Sequence, residues 1–557
     1  MDPLKGETII QLFIRRVSES HDQTAIRFKS RESFESKSWS ELAGDVHRLA
    51  AGLIAAGIRP GDHVAQLSEN RYEWILADLA IQLAQAIHVP IHAPLAASQV
   101  EFQINHSESK LIFVSGSEQL EKIAAVADKL PQDLIVVHYD ASTHDLPQKQ
   151  IPLSEWWAGE SPAAAEIERA AIADCTADNL ATILYTSGTT GEPKGVMLTQ
   201  RNLVSNAIGT IETFEMADND TRLSFLPLSH IFARTCDLYT WIGTGCLLAL
   251  AQSRDTVLQD CAEIKPTIMN GVPYFFDRLL RGLQQHGQAE TPGALRHLLG
   301  GNIKYCCSGG AALPDHLFDF FQTQEVPILQ GYGLTETSPV ISMSTPRQFK
   351  RGASGQAIPG VEVCISDEGE ILTRGPLVMK GYWKNDQATR EVIVNEWFHT
   401  GDLGHVDEDG FVWITGRKKE LIVTAAGKNI APVLLESLLT EAPLIDQALV
   451  IGDGRNYLTA LIVPNLEQLK HQLADLDTSD IAVALSDQRV QDLFAQQIEK
   501  QLKPVSYHEQ VRRFSLIERA FSIENGEMTA KLSLRRPIIE ANFADRIKAM
   551  YNRKREA

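Results

Sequence analysis

YTSGTTGEPKG, Tyr185 to Gly195, follows the apolar run ATIL and holds four serine or threonine hydroxyls, three glycines and, near its far end, a lysine. ATILY reads as a buried strand. SGTTGEPKG reads as the turn after it, and GVMLTQRNLVSNAIGT as the entry to a helix. A glycine-rich turn after a buried strand lets backbone N–H groups converge on phosphate oxygens. Gly188 and Gly191 allow close approach of the backbone to the anion. Thr186, Ser187, Thr189 and Thr190 add hydroxyl donors, Pro193 stiffens the turn, and Lys194 supplies charge. The stretch differs from GxxxxGK[ST], because no Ser or Thr follows the lysine, and from GxGxxG. A plain surface turn seldom stacks so many hydroxyls between two regular elements. The pattern therefore predicts a polyphosphate-binding loop in an α/β fold.

Working outward, strand and helix patterns alternate through the first part of the chain. WSELAGDVHRLAAGLIAAGI (Trp39 to Ile58) is helix-periodic and ends at the turn Arg59-Pro60-Gly61-Asp62. HVAQLSEN, HVPIH, KLIFVSG, LIVVHY and LSFLPLSHIF read as strands, and YEWILADLAIQLAQA as a helix. Such alternation predicts a doubly wound α/β region. Between Gly352 and Phe411 short strands alternate with glycines, as in GVEVCISDEGEILTRGP and GFVWITGR, which predicts a β-rich subdomain. After Thr415-Gly416-Arg417-Lys418-Lys419-Glu420 the texture changes again, and the remainder is long enough for a small domain.

The bulk numbers narrow the function classes. At 557 residues the chain is too long for one core. A net charge of −19 argues against nucleic-acid binding and requires that an anionic substrate be met by locally arranged donors. The cluster Arg546, Lys548, Arg553, Lys554 and Arg555 reads as a solvated terminal helix, with peripheral membrane contact as the alternative. No apolar run is long enough to span a membrane, and MDPLKGETII lacks a secretory pattern. The seven cysteines form no CxxC pair and are expected to be reduced core residues of a cytoplasmic protein.

Four further motifs accompany the loop: LPLSHIFA with His230, SGGAALP from Ser308 to Pro314, QGYGLTETSP from Gln330 to Pro339, and WFHTGDLGHVDEDGFVWITGRKKELI with Asp402 and Arg417. In this order, and over nearly the whole chain, they resemble the adenylate-forming superfamily of acyl-CoA synthetases, peptide-synthetase adenylation domains and beetle luciferases. GKNIAP and GDGRNYLTALIVPN resemble its long-chain fatty-acid–CoA ligases. The resemblance implies an AMP-binding adenylation domain over residues 1–416, with the β-rich subdomain at about 345–416, and a small mobile α+β C-terminal domain over 417–557, hinged near Lys419. It implies ATP and coenzyme A as co-substrates, Mg2+, and a fatty acid activated as acyl-AMP and then converted to a thioester. A homodimer is left open.

A carboxylate beside a phosphate makes sense when a divalent cation bridges them, so Glu336 is expected at the metal with Thr186 beside it, and Thr335 at the α-phosphate. Tyr332 offers a face for adenine, Gly333 follows it, and Gly309, Gly310 and Ala311 are expected along the other side of the base. Asp402 suits the ribose hydroxyls. Arg417 offers a planar fork to the sugar or phosphate. His230 is expected near the substrate carboxylate but not as a base, since that carboxylate is already ionised. An apolar acyl pocket is expected from Phe225 to Gly243 and Gly271 to Phe276, each CH₂ contributing roughly 0.8 kcal/mol. The bland alternatives are a helix-capping Glu336, a core Tyr332, structural ion pairs at Asp402 and Arg417, and a core His230.

The family's C-terminal adenylation lysine usually precedes an arginine by three positions. In MTAKLSLRRP (Met528 to Pro537) that place is Ser533. If the stretch is extended, Lys531, Ser533 and Arg535 share a face, with a rise of about 3.3 Å per residue. Lys531 is therefore the expected catalytic lysine, and Arg535 its substitute. Two rival readings stand beside the CoA ligase: transfer of the acyl group to a carrier-protein phosphopantetheine, and a non-catalytic nucleotide or acyl sensor.

Overall fold

The computed structural model describes residues 6–30, 33–140, 144–157, 164–186, 193–214, 216–522, 525–528 and 534–552. The first strongly periodic segment forms the helix Trp39–Ala55. Its start is set by a capping box, in which Ser38 accepts the Glu41 N–H and Glu41 accepts the Ser38 N–H. In the next helix, Tyr72–Leu83, every residue but Glu73 is buried. A helix that is buried all round must lie between layers.

Those layers are two large mixed sheets. One has nine strands in the order Gln356–Ala357, Val340–Met343, Ile328–Gly333, Tyr305–Ser308, Ile268–Gly271, Thr221–Ser224, Leu247–Leu250, Thr24–Ser30 and Ser33–Ser38. Its five middle pairings, from Ile328–Gly333 to Thr24–Ser30, are parallel, and antiparallel strands close both edges. The other has eight, in the order Gly381–Tyr382, Lys194–Thr199, Leu180–Thr186, Ile87–Ile91, His63–Leu67, Leu111–Val114, Ile135–His138 and Lys149–Pro152. One buried cluster takes Ile26, Leu248 and Leu250 from the first sheet, Val64, Ala181 and Val196 from the second, and the inward faces of the helices Ile9–Ser20, Trp39–Ala55, Tyr72–Leu83 and Gln200–Phe214. The expected α/β architecture is thus a pair of sheets sharing a helical filling.

Two segments differ from the sequence expectation: LSFLPLSHIF leaves the strand Thr221–Ser224 after Ser224 and ends in the short helix Ile231–Ala233, and the stretch after the glycine-rich turn is a strand. KGVMLT does not open a helix after the glycine-rich turn. It is the strand Lys194–Thr199, antiparallel to Leu180–Thr186, in a register that pairs Tyr185 with Gly195 and Thr186 with Lys194. Val196 and Leu198 enter the core. The helix begins only at Gln200, where Thr199 accepts the Asn202 N–H and Asn202 accepts the Thr199 N–H. That reciprocal cap is the helix-start signal, and it lies at the far end of the strand Lys194–Thr199.

Glu362–Ile365, Glu370–Arg374, Trp397–Val406, Ile393–Val394 and Val412–Arg417 make the β-rich subdomain as an all-antiparallel sheet. Beyond the short 3₁₀ turn Lys418–Glu420 a separate buried cluster runs from Ile422 to Leu516, around the sheet Ile445–Ile451, Leu458–Pro464 and Val511–Leu516. A core of its own is what an independent unit requires. Arg281 and Asp446, 3.2 Å apart, join it to the larger body. All seven cysteines are free thiols, five of them buried. Among the described residues no helix is long and apolar enough to cross a membrane.

Candidate active site

Antiparallel pairing brings Thr186 and Lys194 together at the mouth of the hairpin. Ser187, Gly188, Thr189, Thr190 and Gly191 lie outside the described residues. Below the mouth the hairpin is braced from two distant segments. His106 Nδ1 and the Tyr185 hydroxyl are 2.8 Å apart. Trp383 donates its backbone N–H to Gly195 O at 2.7 Å and its indole N–H to His106 O at 2.9 Å. The Lys194 ammonium sits 4.8 Å from the centre of the Tyr382 ring, within cation–π range.

Gly333 lets the chain double back before the next motif. A Cβ there would lie 1.7 Å from Pro339 O, the atom that accepts the Leu334 N–H. Thr335 and Glu336 then form the 3₁₀ turn Thr335–Thr337, which packs against the strand Lys194–Thr199. Glu336 O accepts the Met379 N–H at 2.8 Å, and Glu336 Oε1 accepts the Tyr382 hydroxyl at 2.9 Å. Lys194 and Glu336 therefore meet one tyrosine, the cation on its ring and the carboxylate on its hydroxyl.

Among the described residues no three His, Cys, Asp or Glu side chains gather to hold a metal by themselves. A lone carboxylate oriented by a phenol, beside a hairpin bearing hydroxyls, fits a cation that takes one or two carboxylates and completes its shell with phosphate oxygens and waters. Magnesium has that preference.

Asp402 lies in Trp397–Val406, opposite Arg417 in the register with Val412–Arg417. Arg417 Nε is 2.8 Å from Asp402 Oδ1, and the Tyr332 hydroxyl donates to Asp402 Oδ2 at 2.8 Å. Gly401 takes φ +73° before it and donates its N–H to Glu370 Oε1. Asp402 is only 3% exposed, whereas the Arg417 side chain is half exposed. Burial pushes the Asp402 carboxyl up from its ordinary range, while Arg417 and the Tyr332 hydrogen bond pull it back. Burial also raises the Tyr332 phenol. The Tyr332 ring packs with Ile341, Ile371, Leu377 and Val412, so this residue is both a core side chain and a partner of Asp402.

His230 precedes the short helix Ile231–Ala233, and its Nδ1 accepts the Phe232 N–H at 3.3 Å. Asn70 holds the loop before it, donating to Leu226 O and accepting the Leu228 N–H. Phe232 lies under Gly309, where a Cβ would come within 3.1 Å of the ring. Gly310, at φ +80°, and Ala311 follow on the exposed side. In the expected acyl region the Phe225 and Phe275 rings are 4.5 Å apart.

Lys531 and Ser533 lie outside the described residues. Their flanks do not form one continuous extended run. Met528 bridges Leu534, and Arg535 donates its N–H to Glu527 O and immediately precedes the helix Arg536–Asn542. Arg536 is bound at both Nη2 contacts to Glu436.

The fold and these clusters can be set against known proteins. The AMP-binding enzyme model matches residues 13–383, and the AMP-binding enzyme C-terminal domain matches residues 419–555. The chain belongs to the AMP-binding enzyme family. As a member of it, the chain is 34% identical to the long-chain-fatty-acid–CoA ligase FadD15 of Mycobacterium tuberculosis over 92% of each chain. It is 28% identical to human long-chain-fatty-acid–CoA ligase ACSBG1, over 98% of this chain and 85% of that one. Among solved structures, ATP-bound MatB from Rhodopseudomonas palustris is 25% identical with a TM-score of 0.77, covering 97% of this chain and 99% of that one. The anthranilate CoA ligase AuaEII, in complex with anthranoyl-AMP, shares the fold at 19% identity, a TM-score of 0.78, and 96% and 97% coverage.

Tyr382, Trp383, Asn70 and Glu370 were not singled out in the sequence. The only local signal was GYWK, a glycine followed by two aromatics and a lysine, which by itself reads as an ordinary strand end.

Proposed function

We propose that this enzyme is an ATP-dependent long-chain-fatty-acid–CoA ligase. The observation that carries the reading is the 34% identity, over 92% of this chain, to a protein of that name. In the first half-reaction a carboxylate oxygen of the fatty acid bonds to the α-phosphorus of ATP, the bond to the β-phosphate oxygen breaks, and pyrophosphate leaves. In the second, the coenzyme A sulfur bonds to the acyl carbon, the acyl–phosphate bond breaks, and AMP leaves.

Positioning and charge neutralisation do most of the work in such transfers. Thr186, Ser187, Gly188, Thr189, Thr190, Gly191 and Lys194 are assigned to the phosphates, and Thr335 to the α-phosphate. Asp402 and Arg417 are assigned to the ribose, and Tyr332 with Gly333, Gly309, Gly310 and Ala311 to the adenine. His230 stands near the substrate carboxylate and Lys531 acts in adenylation. Glu336, with Thr186, would hold Mg2+, which when bound neutralises phosphate charge. Residues 1–416 form the adenylation domain and 417–557 a domain that turns about Arg417–Glu420 between the half-reactions. The separate C-terminal core supports that division.

The test is a panel of carboxylic acids from short to long chain, scored by pyrophosphate release with ATP and by thioester formation with coenzyme A. Release peaking with long-chain acids, together with acyl-CoA, is the expected outcome. Release without thioester, relieved by a phosphopantetheine carrier, would overturn the choice of acceptor.

A further inference from the structure

We infer that Tyr382 is a positioning residue that aims the Glu336 carboxylate at the metal and ties it to the phosphate-loop lysine. The inference rests on the reading of Glu336 as metal ligand. Three observations carry it. The Tyr382 hydroxyl donates to Glu336 Oε1 at 2.9 Å, while the Lys194 ammonium lies 4.8 Å from the centre of the same ring. Tyr382 is itself 5% exposed and has little freedom. Its strand, Gly381–Tyr382, pairs antiparallel with Lys194–Thr199, placing Tyr382 opposite Val196 and Gly381 opposite Met197.

The backbone around it is locked as well. Tyr382 donates its N–H to Thr389 Oγ1 at 2.9 Å. Gly381, at φ +146°, leaves no room for a side chain, because a Cβ would stand 2.8 Å from Thr389 Cγ2. Trp383, next in the chain, grips the hairpin base at Gly195. A glutamate alone has three rotatable bonds and spreads its carboxylate over many directions. A rigid phenol bonded to one oxygen selects one of them and leaves the other oxygen to be presented to a cation. The aromatic face meanwhile steadies Lys194 next to the same phosphates. Tyr382 thus sets the distance between the two charged groups that a metal-bound polyphosphate would bridge, without itself touching the phosphates.

The competing account is that Tyr382 is a core tyrosine whose hydroxyl merely needs a partner. A double-mutant cycle separates the two. Full-length wild type, Tyr382→Phe, Glu336→Gln and the double variant are titrated with Mn2+ in the presence of a non-reactive ATP analogue, with free Mn2+ read by electron paramagnetic resonance. Tyr382→Phe keeps the ring under Lys194 and removes only the hydroxyl. It is expected to weaken Mn2+ binding by about tenfold, the scale of a hydrogen bond to a charged group. In the Glu336→Gln background the same change is expected to cost nothing more.

Unchanged Mn2+ binding in Tyr382→Phe, or equal losses in both backgrounds, overturns the inference while leaving Glu336 as the ligand. Unchanged binding in Glu336→Gln overturns the metal assignment, and the inference falls with it. Affinity for the analogue without metal is the control. If Tyr382→Phe loses that too, the tyrosine supports the whole site rather than the carboxylate, and the inference is overturned.

Discussion

Two clusters in this molecule use the same parts, a carboxylate, an arginine and a tyrosine, and arrive at different ends. Between the layers, Asp78 accepts from Arg234 and lies 2.7 Å from His88 Nδ1 on one oxygen, and accepts from the Tyr239 hydroxyl on the other. Arg234 also donates to Thr182 Oγ1, and the Asp78, His88 and Arg234 side chains are 0% exposed. At the seam before the C-terminal unit, Asp402 accepts from Tyr332 and pairs with Arg417, but the Arg417 side chain is half exposed. In the first cluster the protein meets nearly all of the charge itself. In the second the guanidinium still faces outward. Residue type does not separate the two clusters; access does.

The largest effect that sharpens this contrast is on stability. Arg234→Ala leaves Asp78 buried without its cation, which costs about 3–5 kcal/mol in comparable buried pairs. Denaturant unfolding should show that loss. A change within 1 kcal/mol, as for a screened pair, would erase the distinction between the clusters.

A second measurement uses pH. Burial and the neighbouring Arg234 push the His88 imidazole down to about 4. In the unfolded chain it binds a proton near 6.5. Between those values the unfolded state holds more protons, so stability is full above pH 6.5 and falls as pH drops toward 4, by up to roughly 3 kcal/mol. Thermal unfolding across that window should slope downward with acid, and His88→Gln should flatten the difference. An equal slope in both proteins would show that the imidazole is not held neutral by the fold.

The smallest change in stability belongs to the seam. Asp402→Asn leaves Arg417 partly solvated, so unfolding should move by less than about 1 kcal/mol. Acid-dependent pyrophosphate release should fall by at least about tenfold, equal to ~1.4 kcal/mol of barrier. Strong destabilisation with normal release per folded molecule would make this cluster structural, like the first.

Helix periodicity, apolar runs and glycine spacing are carried by neighbouring residues, so the α/β alternation and the change of texture near Gly352 are legible along the chain. The Glu336 turn and the Asp402 strand are local motifs, while Ser187 to Gly191 of the hydroxyl–glycine loop lie outside the described residues. Thr199 and Asn202 mark locally where the helix starts, after the strand Lys194–Thr199. Which motifs meet is set by long-range packing. Tyr382 reaches Glu336 across 46 residues, Tyr332 reaches Asp402 across 70, and Arg234 reaches Asp78 across 156. Such pairings follow from strand order and register, which are settled when two sheets close over a shared core, and no run of adjacent residues carries that information.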